Sequence, residues 1–357
     1  MDGKGKVVSE EKFLSTKKEE IRFLAQERDG SIGNKLIKKL MHDELLFFTF
    51  DKGKRSQDSF SIGDDEEILR MKFNWLVSAF DLAKEGEGID QEMLYEYFRD
   101  AVSGEGMEIW RINRLGSSSL LAFLCFATVM AREGAITIDV PNEGFVEFKE
   151  LKLEYENKLF AGRSRPSSVD IFLSNDKYVL FLESKFSEYL ETTDEIKKNL
   201  SIRYAPYYSD IFGPKGKREG QEIWWEDGPR LRSETKNYLE GIKQMISHWI
   251  GVKHEVEFNE EKRREWCDKK LLLGGILFNF KEGTMKENVE LKAYADQYQW
   301  LAKRLNSLEN KVRVLPELLT YQSAFKGIRL PRCVHEYYRL GSAMGSAMGS
   351  DPMDGKC

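Results

Sequence analysis

Apolar residues recur at helical spacing through the first hundred positions, and the pattern predicts four helices, at Phe13 to Ala25, Leu36 to Phe48, Ile68 to Leu82 and Met93 to Val102. Glycine-rich and polar breaks separate them, at Asp29 to Gly33, Lys52 to Asp65 and Glu85 to Gly88. They read as a helical N-terminal domain, residues 1–104, closed by Ser103-Gly104-Glu105-Gly106. The helix-break-helix around Gly30 has the form of a DNA-reading unit, but two amphipathic helices on a glycine turn also occur in ordinary bundles, where packing alone explains them.

Beyond that boundary the period changes. Ser117 to Ser119 offer an N-cap to a run that is apolar all round, LLAFLCFATVMA, as expected of a helix buried against a sheet. Strand patterns follow: Phe145 to Glu156 alternates, Ser168 to Ser174 and Tyr178 to Phe186 are β-rich, and Asn175-Asp176 between the last two signals a tight turn. A helix from Ser233 to about Ile250 turns Leu239, Ile242, Met245, Ile246 and Trp249 inward, and Leu271 to Phe280 reads as a buried strand. A long helix with the stripe Leu291, Tyr294, Tyr298, Leu301, Leu305 and Leu308 comes next, and short elements near Val312 and Tyr321 close the fold. The order after residue 116 is α-β-β-β-α-β-α, an α/β domain spanning residues 105–340. Residues 341–357 repeat Gly, Ser, Ala and Met, duplicate the initial MDGK and cannot bury a core, so they read as a flexible tail or cloning linker.

Composition narrows the class. At 41% hydrophobic, 32% charged and 8 Pro in 357 residues, the chain is a folded protein rather than a disordered one. Its four Cys (125, 267, 333, 357) form no Cys-x-x-Cys pair, so neither a disulfide framework nor a zinc ribbon is expected. The charged start is unlike a signal peptide, no apolar stretch reaches the roughly 20 residues of a membrane helix, and a cytoplasmic location with no membrane partner is expected. The net charge of -5 hides an asymmetry: residues 61–160 carry 20 acids against 10 Lys/Arg, and residues 301–340 carry 8 Lys/Arg against 3 acids. The basic stretch, with Lys215, Lys217 and Arg218, is a candidate phosphate-contacting surface, although solvated helix faces are often as basic.

The nucleotide-binding loops and the esterase and zinc-protease motifs are absent, and His335-Glu336 lacks the second His of a metalloprotease. Carboxylate and lysine chemistry remains. Glu183-Ser184-Lys185 has a pattern that recurs at nine other places, so it carries nothing by itself. Here, however, it closes the core-like run Tyr178 to Leu182, where burying charge is costly unless the charges pair or bind a metal. Glu183 and Lys185 are two apart and share a strand face. If Asn175-Asp176 is a two-residue hairpin loop, Ser174 faces Lys177, Asp170 falls opposite Phe181, and Asp170 becomes a diagonal neighbour of Glu183 at roughly 5–8 Å. Two such carboxylates repel unless a hard divalent cation lies between them. A surface hairpin in which Lys185 makes an ordinary salt bridge would contain the same residues.

Asp170 on one strand and Glu183-x-Lys185 on the next, within this element order, resemble the PD-(D/E)xK, or restriction-endonuclease-like, nuclease superfamily over roughly residues 105–340. Ser168-Val169 replaces the motif's Pro. The resemblance implies an αβββαβ core with a mixed central sheet, in which Asp170, Glu183 and the Ser184 carbonyl bind Mg²⁺, Mn²⁺ can substitute, and Lys185 acts on the attacking water. It also implies a further acid, Glu156 or Glu154 on the same face, and a Gln on the following helix, for which Gln244 is the candidate, with His248 one turn on. The function implied is a Mg²⁺-dependent endodeoxyribonuclease of restriction or defence type acting on double-stranded DNA, with the N-terminal helices as a recognition or homodimer element. A catalytically silent nucleic-acid-binding protein and an RNA-directed nuclease are the alternatives.

Overall fold

The computed structural model describes residues 66–84, 87–102, 117–157, 167–186, 239–279, 289–308, 311–338 and 340. The helices expected at 13–25 and 36–48, the loop with Lys215, Lys217 and Arg218, and the segment 341–357 lie outside the described residues.

Two amphipathic helices come first, α1 (Glu66–Ala79) and α2 (Gln91–Val102). Asp90 caps α2 by accepting from the backbone N–H groups of Glu92 and Met93, and Phe73, Tyr95 and Phe98 join the two helices. The boundary expected near residue 104 falls outside the described residues, and the helices before it share one continuous buried core with the elements after it. Phe98 meets Phe123 edge-on at 6.1 Å, for example.

The apolar run forms a helical rod made of α3 (Ser118–Ala122), a π turn (Phe123–Ala127) and α4 (Thr128–Glu133). Ser117 caps it, its Oγ accepting from Leu120 N, and Gly134 ends it at φ 70°. Every side chain from Ser119 to Ala131 is buried, which is why no polar stripe marks this helix in the sequence.

The single strand expected over Phe145 to Glu156 is two strands in different sheets. β1 (Ile136–Val140) and β2 (Gly144–Phe148) form an antiparallel hairpin, whereas β3 (Glu150–Asn157) enters the main sheet after a break at Lys149. The alternation of Ile136, Ile138 and Val140 is the sequence signal for β1.

The main sheet is mixed and runs in the order β3, β4 (Ser167–Ser174), β5 (Tyr178–Lys185), β6 (Lys270–Leu277), β7 (Val312–Val314), and β8 (Leu319–Thr320) also pairs with β6. The pairs β3–β4 and β4–β5 are antiparallel, and β5–β6, β6–β7 and β6–β8 are parallel. Parallel pairs need crossovers. Helices α5 (Leu239–Phe258) and α6 (Glu260–Glu265) lie between β5 and β6, and α7 (Val289–Ser307) lies between β6 and β7. Two short helices, α8 (Tyr321–Ala324) and α9 (Arg332–Tyr338), end the described chain. The α/β class and mixed central sheet expected from the sequence are present. No helix among the described residues is long and apolar enough to cross a membrane.

Gly274 and Gly275 sit where the chain steps from β7 to β8. A Cβ on Gly274 would lie 2.6 Å from Leu315 Cδ1, and one on Gly275 would lie 2.7 Å from Leu318 Cδ2, so their missing side chains let that step close over β6.

Candidate active site

The β4–β5 loop differs from the expected one by one residue. Its central residues are Asp176-Lys177, because the Asn175 side chain accepts from the backbone N–H groups of Lys177 and Tyr178 while Asn175 N donates to Tyr178 O. Ser174 therefore pairs with Val179 instead of facing Lys177, and Phe172 pairs with Phe181. The ladder ends at Ile171 and Leu182, which sets Asp170 opposite Glu183 rather than opposite Phe181. The pairing has moved by two residues, an even number, so face parity is unchanged: Asp170, Glu183 and Lys185 project from one face.

On that face Lys185 Nζ donates to Glu183 Oε1 at 2.6 Å, and His248 Nε2 of α5 lies 2.8 Å from Glu183 Oε2. The backbone N–H of Ser184 donates to Asp170 Oδ2 at 2.6 Å. Glu183 is only 4% exposed. Burial opposes its ionisation, but Lys185 and then His248 outweigh burial and hold its carboxyl down at about 2. Asp170 shifts the other way: burial first, then the charges of Glu183 and Glu154, push its carboxyl well above the usual range, against the opposing pull of Lys185 and the Ser184 N–H.

Glu154 faces Asp170 across β3–β4. The ladder is interrupted there, between Leu153–Ile171 and Tyr155–Val169, because Glu154 adopts a left-handed backbone at φ 52°. A non-glycine residue in that region costs on the order of 1–3 kcal/mol, which neighbouring contacts must offset. Ser168 Oγ donates to Glu154 Oε2 at 2.8 Å and Ser119 Oγ reaches Glu154 Oε1 at 3.5 Å, while the next residue, Tyr155, stacks on Phe172 at 4.6 Å. Glu156 is exposed and pairs with Ser168, one step past the acid pair.

Residues 90–263, which carry all of these side chains, match the family described as Restriction Endonuclease associating with ARP. The matched segment is restriction-endonuclease-like. No curated protein and no solved structure matches the chain significantly.

Within this restriction-endonuclease-like core, the predicted residues Asp170, Glu183, Ser184 and Lys185 converge where β4 begins and β5 ends. Gln244 is half-buried on α5, one turn before His248, and on the same side of the helix. Of the two acids proposed for β3, Glu154 stands at Asp170 and Glu156 does not. His248, read from the sequence only as a neighbour of Gln244, reaches Glu183 from α5, and no local spacing links the two.

Among the described residues, no three His, Cys, Asp or Glu side chains are already gathered around a common point as a metal site. The chemistry of the donors nevertheless suits a hard cation. Asp170 is buried with the charges of Glu183 and then Glu154 near it, which disfavours its ionisation, and a divalent cation bound by these carboxylates would relieve that repulsion.

Proposed function

We propose that this protein is a Mg²⁺-dependent endodeoxyribonuclease of restriction or defence type. The observation that carries the reading is Asp170 set opposite Glu183 with Lys185 on the same face, bonded to Glu183 at 2.6 Å. Asp170, Glu183, the Ser184 carbonyl and Glu154 would hold Mg²⁺. When bound, the ion would polarise a phosphodiester oxygen and lower the pKa of the attacking water.

The protein's own groups supply the rest. Glu183 stays ionised under the influence of Lys185 and His248, so it offers a carboxylate without a proton to lose. Lys185 places a compact positive charge, 13% exposed, where it can orient a water and offset negative charge that develops on the phosphate. The Ser184 N–H fixes Asp170, and His248 fixes the second oxygen of Glu183, which limits the freedom of both carboxylates. Gln244, one turn before His248 on the same side of α5, would contact substrate or water. The exposed cations Lys303, Lys311, Arg313 and Lys326 supply phosphate contacts for double-stranded DNA, and the N-terminal helices expected from the sequence serve recognition or homodimerisation.

The deciding experiment incubates the protein and its Lys185→Ala variant with high-complexity genomic DNA, and with matched RNA, in Mg²⁺ and in chelator. Mg²⁺-dependent cutting of DNA by the wild-type protein alone is expected. Cutting of RNA only, binding without cutting, or equal cutting by Lys185→Ala would overturn the reading.

A further inference from the structure

We propose that Tyr321 is a positioning residue for the Asp170–Glu183–Lys185 site, acting through Ser184 from the opposite face of the sheet; this rests on the nuclease reading above. Ser184 lies between Glu183 and Lys185, so its side chain points away from theirs. There its Oγ sits 2.7 Å from the Tyr321 hydroxyl and donates to Ser118 O at 3.3 Å. With the Ser184 hydrogen directed to Ser118, the Tyr321 hydroxyl is the donor and Ser184 Oγ the acceptor.

The backbone of the same serine serves the site. Its N–H holds Asp170 Oδ2 at 2.6 Å, and its two peptide links run directly to Glu183 and Lys185. A torsional drift at Ser184 would move the donor to Asp170 and turn both functional side chains together. The hydrogen bond from Tyr321 resists that drift from behind, without occupying the face that carries Glu183 and Lys185.

Tyr321 is suited to the role because it cannot itself drift. Its side chain is fully buried, stacked on Phe325 at 6.0 Å and 11°, and met edge-on by Phe126 of the π turn at 6.2 Å. Thr320 before it pairs with Leu277, and Leu277 pairs with Lys185, so the backbone is registered to the functional strand as well. A tyrosine wholly removed from water needs a partner for its hydroxyl, whereas phenylalanine would fill the same space without that cost. Tyr321 also lies outside the matched 90–263 segment, so it joins the C-terminal part of the chain to the site.

The test is calorimetric titration of Mn²⁺ into wild-type protein, Tyr321→Phe, Ser184→Ala and the double variant, with thermal melting of each. Removing an outer partner of a metal ligand commonly costs 10–100-fold in affinity, and each single variant is expected to lose about tenfold. The double variant should lose no more than Ser184→Ala alone, because that variant already removes the Tyr321 hydrogen bond together with the one to Ser118. Unchanged Mn²⁺ affinity in Tyr321→Phe, alone or with a lowered melting temperature, would overturn the role, as would losses that multiply in the double variant. Wild-type protein that binds no Mn²⁺ would overturn the nuclease reading and this inference with it, so the two failures are told apart by the wild-type titration.

Discussion

Asp170 and Glu183 face each other across the β4–β5 pair, yet their surroundings drive them to opposite protonation behaviour. Glu183 has Lys185 and His248 on its two oxygens and is held at about 2. Asp170 is buried, has two carboxylates for neighbours, and keeps its proton to higher pH. The site therefore contains a permanent anion beside a carboxyl that a cation can recruit.

The stability consequence has a definite sign. Asp170 in the folded protein titrates above its ordinary value of 3.8, so as pH rises past 3.8 the unfolded chain loses that proton first and stability falls until the folded carboxyl also ionises. Asp170→Asn removes this penalty. In chelator at neutral pH the variant should melt above wild type, while losing the rise in melting temperature that Mg²⁺ or Mn²⁺ gives the wild-type protein. Melting curves with and without cation test both halves.

Lys185→Ala should reduce single-turnover cleavage by roughly 10²–10⁴-fold, the range over which positioned proton-transfer groups act, with little change in DNA affinity. Its effect on folding should be small because His248 still pairs with Glu183. A steep fall in melting temperature at wild-type cleavage rates would mark the lysine as a structural ion-pair partner only.

Glu154 and Glu156 can be separated directly. Glu154→Gln should weaken Mn²⁺ binding about 10–100-fold, whereas Glu156→Gln, on an exposed position opposite Ser168, should bind and cleave like the wild type. Calorimetry on the pair settles which acid completes the site.

Much of the fold was legible from periodicity: the two described N-terminal helices, the buried rod, the β4–β5 hairpin, and the helix–strand–helix run from α5 to α7. Parity was robust too, because a loop shifted by one residue moved the pairing by two and left Asp170 on its predicted face. What stayed hidden depended on three-dimensional contact or on backbone conformation. His248 reaches Glu183 across 65 residues and Tyr321 reaches Ser184 across 137, with no local spacing to reveal either. Glu154 and Glu156 have equal parity, and what separates them is the register that sets Glu154 at Asp170 and Glu156 at Ser168, together with the left-handed backbone at Glu154.

For DNA binding, charge reversal at Lys303, Lys311, Arg313 and Lys326 should lower the magnitude of d log K/d log[salt] by about 0.9 for each phosphate that the variant no longer neutralises. Binding titrations at several salt concentrations measure this. An unchanged slope would move the DNA-binding surface elsewhere.

The glycine step carries its own prediction. Gly274→Ala drives a Cβ against Leu315 Cδ1 at 2.6 Å, with Leu315 Cγ at 3.1 Å and Leu182 Cδ2 at 3.2 Å behind it, and should cost about 1–3 kcal/mol by overpacking. Gly275→Ala meets the tip of one leucine at 2.7 Å and should cost less. Urea unfolding of the two variants gives the order.

The same step, taken with Glu154, shapes how the sheet ends. Among the described strands, β3 and the β7–β8 pair are outermost, and neither offers a long unbroken ladder: β3 is interrupted by the left-handed turn at Glu154, and the other margin is split into pieces of three and two residues. A long, flat margin would be a template for another chain's strand. This sheet withholds that template on both sides, so the device that brings Glu154 to Asp170 also discourages the fold from pairing with itself.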